Sequence, residues 1–66
     1  MRGYILTAYT REASFIYGLF ATEVEALDYM REYCESPGAM AYDFWTLALW
    51  SGDTRLSFDI VEKRHE

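Results

Sequence analysis

Residues 42–61 read YDFWTLALWSGDTRLSFDIV. Two runs rich in aromatic and apolar residues flank Ser51-Gly52-Asp53-Thr54. Glycine beside aspartate is strong turn chemistry, because glycine takes positive φ without a steric penalty. The stretch therefore predicts a β-hairpin with strands over Tyr42–Trp50 and Arg55–Val61. A tight turn at Gly52-Asp53 sets Leu49 opposite Leu56, Leu47 opposite Phe58 and Trp45 opposite Ile60. All six then share one face, as a half-buried sheet requires. The other face receives Trp50 with Arg55, Ala48 with Ser57 and Thr46 with Asp59.

Upstream, Ser36-Pro37-Gly38 marks a stop, since proline disfavours helical geometry in the residue before it. It ends TEVEALDYMREYCES, residues 22–36. Thr22 with Glu25 three residues on has the spacing of a capping box. At about 100° per residue, Ala26, Leu27, Met30, Tyr33 and Cys34 share one broad side. Glu25, Asp28, Glu32 and Glu35 form a stripe on the other. The segment reads as an amphipathic helix.

Further upstream, YILTAYT (Tyr4–Thr10) and SFIYGLF (Ser14–Phe20) are two strands separated by Arg11-Glu12-Ala13, a second hairpin. Neither of its faces is polar, so either Ile5, Tyr9, Ile16 and Phe20 or their alternates lie on the side of the sheet that the helix leaves uncovered. Gly18 within a strand marks a bulge or a close backbone approach. The expected fold is α+β: a small single domain over residues 1–66, ordered ββαββ. Two antiparallel hairpins form a four-stranded sheet with one amphipathic helix packed on one face. Residues 62–66, EKRHE, are expected to be a flexible polar tail.

Sixty-six residues lie near the lower limit for a domain without a staple. Hydrophobic residues make up 52% and aromatics 18%, enough for a core of large side chains and against disorder. Eleven acids against six bases give a formal net charge of −5, a sign that opposes nucleic-acid phosphates and anionic membranes. One cysteine, Cys34, excludes an internal disulfide framework and fits a reducing compartment. No apolar run approaches a membrane span, and the first residues lack the features of a signal peptide. A cytoplasmic protein is expected, with neither nucleic acid nor membrane as a direct partner.

Residues that could carry chemistry are few. The single histidine, His65, lies next to the last residue, a poor place for a preorganised catalytic site. Cys34 falls on the apolar side of the helix, where cysteine acts as a small hydrophobe. No spacing resembles a zinc site or a phosphate cradle. No enzyme activity, catalytic residue, cofactor or metal is expected.

Binding is the better prospect, through two surfaces. One helix covers only one side of four strands. The bare side carries Phe44, Trp50 and Arg55, and small domains often gain through oligomerisation the core they cannot build alone. The other surface is the stripe Glu25, Asp28, Glu32, Glu35. Acids at the N-terminal end suit the helix dipole, but Glu32 and Glu35 sit at its negative end. Like charges at three- and four-residue spacing also oppose the helix by about 0.2–0.5 kcal/mol per pair. The sequence thus predicts a non-catalytic protein-binding module, an inhibitor, adaptor or accessory subunit that is homodimeric or docks on a basic protein surface. The alternative is an acidic mimic of nucleic acid that inhibits a DNA- or RNA-binding protein, as small inhibitors of phages and mobile elements do. Its carboxylates would rise by roughly 4.5–6 Å per step along the helix, close to phosphate spacing.

Overall fold

The fold comes from a computed structural model that describes residues 2–63. Five elements follow in order: β1 Arg2–Tyr9, β2 Ser14–Phe20, α1 Glu23–Glu35, β3 Phe44–Ser51 and β4 Thr54–Lys63. The strands form one antiparallel sheet in the order β2-β1-β3-β4. The ββαββ α+β architecture read from the sequence is the one observed. Glu62 and Lys63 belong to β4, while Arg64, His65 and Glu66 of the expected tail lie outside the described residues. Among the described residues no helix is long and apolar enough to cross a membrane.

The local signals act as the chemistry requires. Gly52 takes φ 60° and Asp53 stays at negative φ, the pattern of a type II′ turn that suits strand twist. Thr10 closes the first hairpin: its Oγ1 accepts from the Ala13 and Glu12 amides, and its own amide donates to Ala13 O at 2.8 Å. Thr22 caps α1, its Oγ1 accepting from the Glu25 amide at 3.2 Å. At the other end Ser36 turns extended before Pro37, and its Oγ donates to Glu32 O at 2.9 Å.

β2 and β3 both pair with β1, so they run parallel to each other and α1 must cross the sheet to join them. The helix packs closest on β1 and β2. A helix about 10 Å across spans roughly two strands at 4.8 Å spacing, which leaves β4 outside its cover. The core lies beneath it: Leu6, Ala8, Ala26, Met30, Tyr42, Trp45 and Leu47 are buried, with Tyr4, Tyr17, Phe20, Leu27, Tyr33 and Val61 packed around them. Leu6, wholly buried, alone contributes about 1.5–3 kcal/mol of transfer free energy.

The expected register of the second hairpin is corrected. It holds at Ser51–Thr54 and Trp50–Arg55, then slips: Leu49 pairs with Ser57, Ala48 with Phe58, Leu47 with Asp59 and Thr46 with Ile60. Leu56 is the extra residue. Val61 is a second one, since Trp45 pairs with Glu62. Each bulge moves the following residues to the opposite face. Phe58 and Ile60 therefore leave the helix side, and Ser57 and Asp59 enter it. Partial cover explains the exchange: on β4 the helix side meets water and takes the polar residues.

Candidate functional site: the open sheet face

The side of the sheet away from the helix can be built row by row from the pairings. β3 and β1 pair without interruption from Arg2–Ser51 to Tyr9–Phe44, so Gly3, Ile5, Thr7 and Tyr9 share the open face with Trp50, Ala48, Thr46 and Phe44. From β4 come Arg55, Phe58, Ile60 and Lys63. From β2 come Leu19 opposite Ile5, Ile16 opposite Thr7 and Ser14 opposite Tyr9. β2 carries its own bulge: Leu6 faces both Tyr17 and Gly18, and Gly18 takes φ 122°. That extra residue lets Tyr17 and Phe20 both turn to the helix while Ile16 and Leu19 turn away.

The outcome is an apolar surface with relief. Ile16 is 72% exposed, Leu19 65%, Ile60 50% and Phe58 45%. Between them the small residues of the central strand form a floor, Thr46 and Ala48, which their larger neighbours bury. Leu19 leans over Gly3, where a Cβ would lie 2.5 Å from its Cδ1. Among the described residues no carboxylate lies on this face. Its charges are Arg55 and Lys63, both on the β4 edge near opposite ends of the strand.

The three sheet residues named from the sequence are all on this face but not in one cluster. Trp50 and Arg55 are paired, and the Arg55 guanidinium sits 4.8 Å over the Phe58 ring, within cation–π range. Phe44 is at the far end, stacked on Tyr9 with ring centroids 4.7 Å apart. Six residue steps along β3 separate it from Trp50, about 20 Å. The exposed apolar groups stand on the two edge strands, Ile16 and Leu19 on β2 and Phe58 and Ile60 on β4, and of these the sequence names only Ile16 for this face, as one of two alternatives. Gly18 is the one sequence signal that reaches two of them.

The acidic stripe is where the sequence puts it. Glu25, Asp28, Glu32 and Glu35 are all exposed on α1. Asp28 accepts from Arg31 at 3.2 Å, an exposed i,i+3 ion pair, worth a few tenths of a kcal/mol. Cys34 differs from expectation, for its thiol is exposed and not part of the core. It lies at the rim of a groove of about 610 Å³ between α1, residues 39–42 and the end of β4, with Met30, Met40, Trp45 and Val61 among its walls. Burial, then Glu62 and Glu35, push the thiol pKa up, which disfavours the thiolate needed for nucleophilic work. Among the described residues no three acidic, thiol or imidazole groups lie close enough to hold a metal ion.

Under the helix, three tyrosines bring their hydroxyls together. Tyr17 Oη lies in hydrogen-bond contact with Tyr42 Oη and donates to Tyr33 Oη at 3.5 Å, and the Met40 amide donates to Tyr33 Oη at 3.2 Å. This ties β2, α1 and the loop before β3 at one point. The bond to Tyr33, then that to Tyr42 and burial, push the Tyr17 phenol well above its ordinary 10.0. The bond from Tyr17 lowers Tyr33. The bond from Tyr17 also acts downward on Tyr42, but burial and Tyr33 outweigh it and the net direction is up. A raised phenol favours the folded state below the unfolded value and loses that contribution as pH climbs past it. The lowered Tyr33 acts the other way, but the large Tyr17 shift dominates. Stability is thus expected to hold to about pH 10 and to fall above it. Urea titrations across that range check this, and in Tyr17→Phe the fall should be shallower, after an initial loss of about 0.5–1.5 kcal/mol. An equally steep fall in Tyr17→Phe would remove the cluster from the explanation.

Comparison with protein-family models, with curated proteins and with solved structures finds no match for this chain.

Proposed function

We propose that this chain is a non-catalytic protein-binding module, of the kind that serves as a small inhibitor, adaptor or accessory subunit, and that the open sheet face is its binding surface. One observation carries the reading: bulges in both edge strands turn Ile16, Leu19, Phe58 and Ile60 outward onto a face that carries no carboxylate among the described residues. A contiguous apolar surface bordered by polar groups is what interaction sites look like. The Arg55–Phe58 stack and Trp50 supply the residue types that anchor interfaces. The exposed thiol of Cys34 suits a reducing, cytoplasmic setting.

A second reading takes the acidic side of α1 as the surface, for a basic protein or as a mimic of nucleic acid. It is supported by the exposure of all four acids, with Asp28 alone held in an ion pair among the described residues. One experiment separates the two. A photo-crosslinking phenylalanine derivative is placed at Ile16, Phe58 or Ile60, at Glu32, and at the loop residue Glu12, in cells making the protein. Adducts at the three sheet positions, and none at Glu12, are the expected result. Adducts at Glu32 alone would transfer the binding surface to the helix, and none at any sheet position would overturn the proposal.

A further inference from the structure

The geometry points to a second copy of this chain, packed sheet on sheet, as the occupant of the open face; this rests on the reading of that face as the binding surface. Edge pairing is closed off, because β2 is bulged at Tyr17-Gly18 and β4 at Leu56 and Val61. Bulges of this kind twist an edge away from regular pairing with another strand. Charge then selects the face. Two copies at −5 each repel, and the open face is the side on which, among the described residues, they meet without opposing carboxylates. Arg55 and Lys63 lie near opposite ends of the β4 edge, Arg55 stacked on Phe58.

Area agrees. Four strands at about 4.8 Å spacing and eight residues at about 3.3 Å each make a projected face of roughly 500 Å². The 35 × 22 Å outline of the chain bounds it at about 770 Å², so two faces bury roughly 1,000–1,500 Å² together, reaching the lower part of the range of stable interfaces. Large side chains around the floor of Thr46 and Ala48 give the relief that facing sheets need to interdigitate, about 10 Å apart. The product is a two-fold dimer of four layers, helix, sheet, sheet, helix. The acidic stripes lie on its two outer sides, free for a basic partner, and each core gains the cover that one short helix cannot give.

The test is the solution mass of the full chain by light scattering over roughly 1–500 μM, a range that brackets the micromolar affinities interfaces of this size reach. The expected result is twice 7.8 kDa at the upper end. Ile16→Lys and Phe58→Lys each place a charge in the contact twice, once per copy, and should hold the mass at 7.8 kDa throughout. Should those variants unfold, the wild-type melting temperature decides: coupling of folding to association makes it rise with concentration. A mass of 7.8 kDa with a concentration-independent melting temperature overturns the dimer. In that case, crosslinks from Ile16, Phe58 or Ile60 to a different protein keep the face as a binding surface, and their absence removes both readings. A doubled mass that neither lysine variant changes puts the contact elsewhere and also overturns the inference.

Discussion

Trp45→Ala is expected to leave the chain without a cooperative unfolding transition at 25 °C. Trp45 is 3% exposed and stands where β3 meets the helix, its ring centroid 5.4 Å from Tyr17, 5.6 Å from Tyr33 and 5.2 Å from Tyr42. Removing a buried tryptophan costs about 3–5 kcal/mol, transfer and cavity together. A core of this size rarely supplies more than about 3–5 kcal/mol in all, so the loss takes up the whole margin. Urea titration followed by far-UV circular dichroism reads the outcome, with all variants at one protein concentration because association adds to stability. Trp50→Ala is the matched comparison: Trp50 lies half-buried on the open face, and that variant should keep a transition. A Trp45→Ala protein within about 1 kcal/mol of wild type would mean that the tyrosine contacts hold the helix without the indole, contrary to the usual cost of such a cavity.

The legible parts of the fold were those with a local cause. Gly52-Asp53 announced its turn, Thr22 its cap and Ser36-Pro37 its stop, each acting through backbone geometry within a few residues. Alternation along β3 placed Trp45 and Leu47 inside and Phe44 and Trp50 outside. The acidic side of α1 was legible for the same reason, because helical period alone decides it.

The open face was less legible because its composition depends on non-local facts. Alternation in β4 fits a regular ladder as well as a bulged one. What selects the bulge at Leu56 is the limited reach of α1, which leaves the helix side of β4 wet and suited to Ser57 and Asp59. That reach depends on strand order, and no residue within β4 encodes it. The correction also inverts the chemistry of the site. A regular ladder would have put Ser57 and Asp59 on the open face, whereas the bulge puts Phe58 and Ile60 there.

Gly18→Val is expected to lower stability by about 2–3 kcal/mol, through backbone conformation and not through a clash. At φ 122° an L residue is strained whatever the space around it. Here the space is open, since a Cβ would come no closer than 3.8 Å to the Phe20 ring. Valine adds its own resistance to positive φ, so Gly18→Ala should lose less than Gly18→Val while moving in the same direction. The chain has one way to relieve the strain, which is to give up the bulge and slip β2 by one residue. A slip would carry Phe20 off Tyr29, where the rings now lie 5.6 Å apart, and bring Leu19 under the helix. Loss of the Phe20–Tyr29 contact in an NMR spectrum of Gly18→Val would therefore accompany the loss of stability if the slip occurs, and the open face would lose Leu19 with it. If Gly18→Val kept that contact and lost less than about 0.5 kcal/mol, positive φ would not be what holds the bulge. The division of β2 into Tyr17 and Phe20 inside, Ile16 and Leu19 outside, would then need another cause.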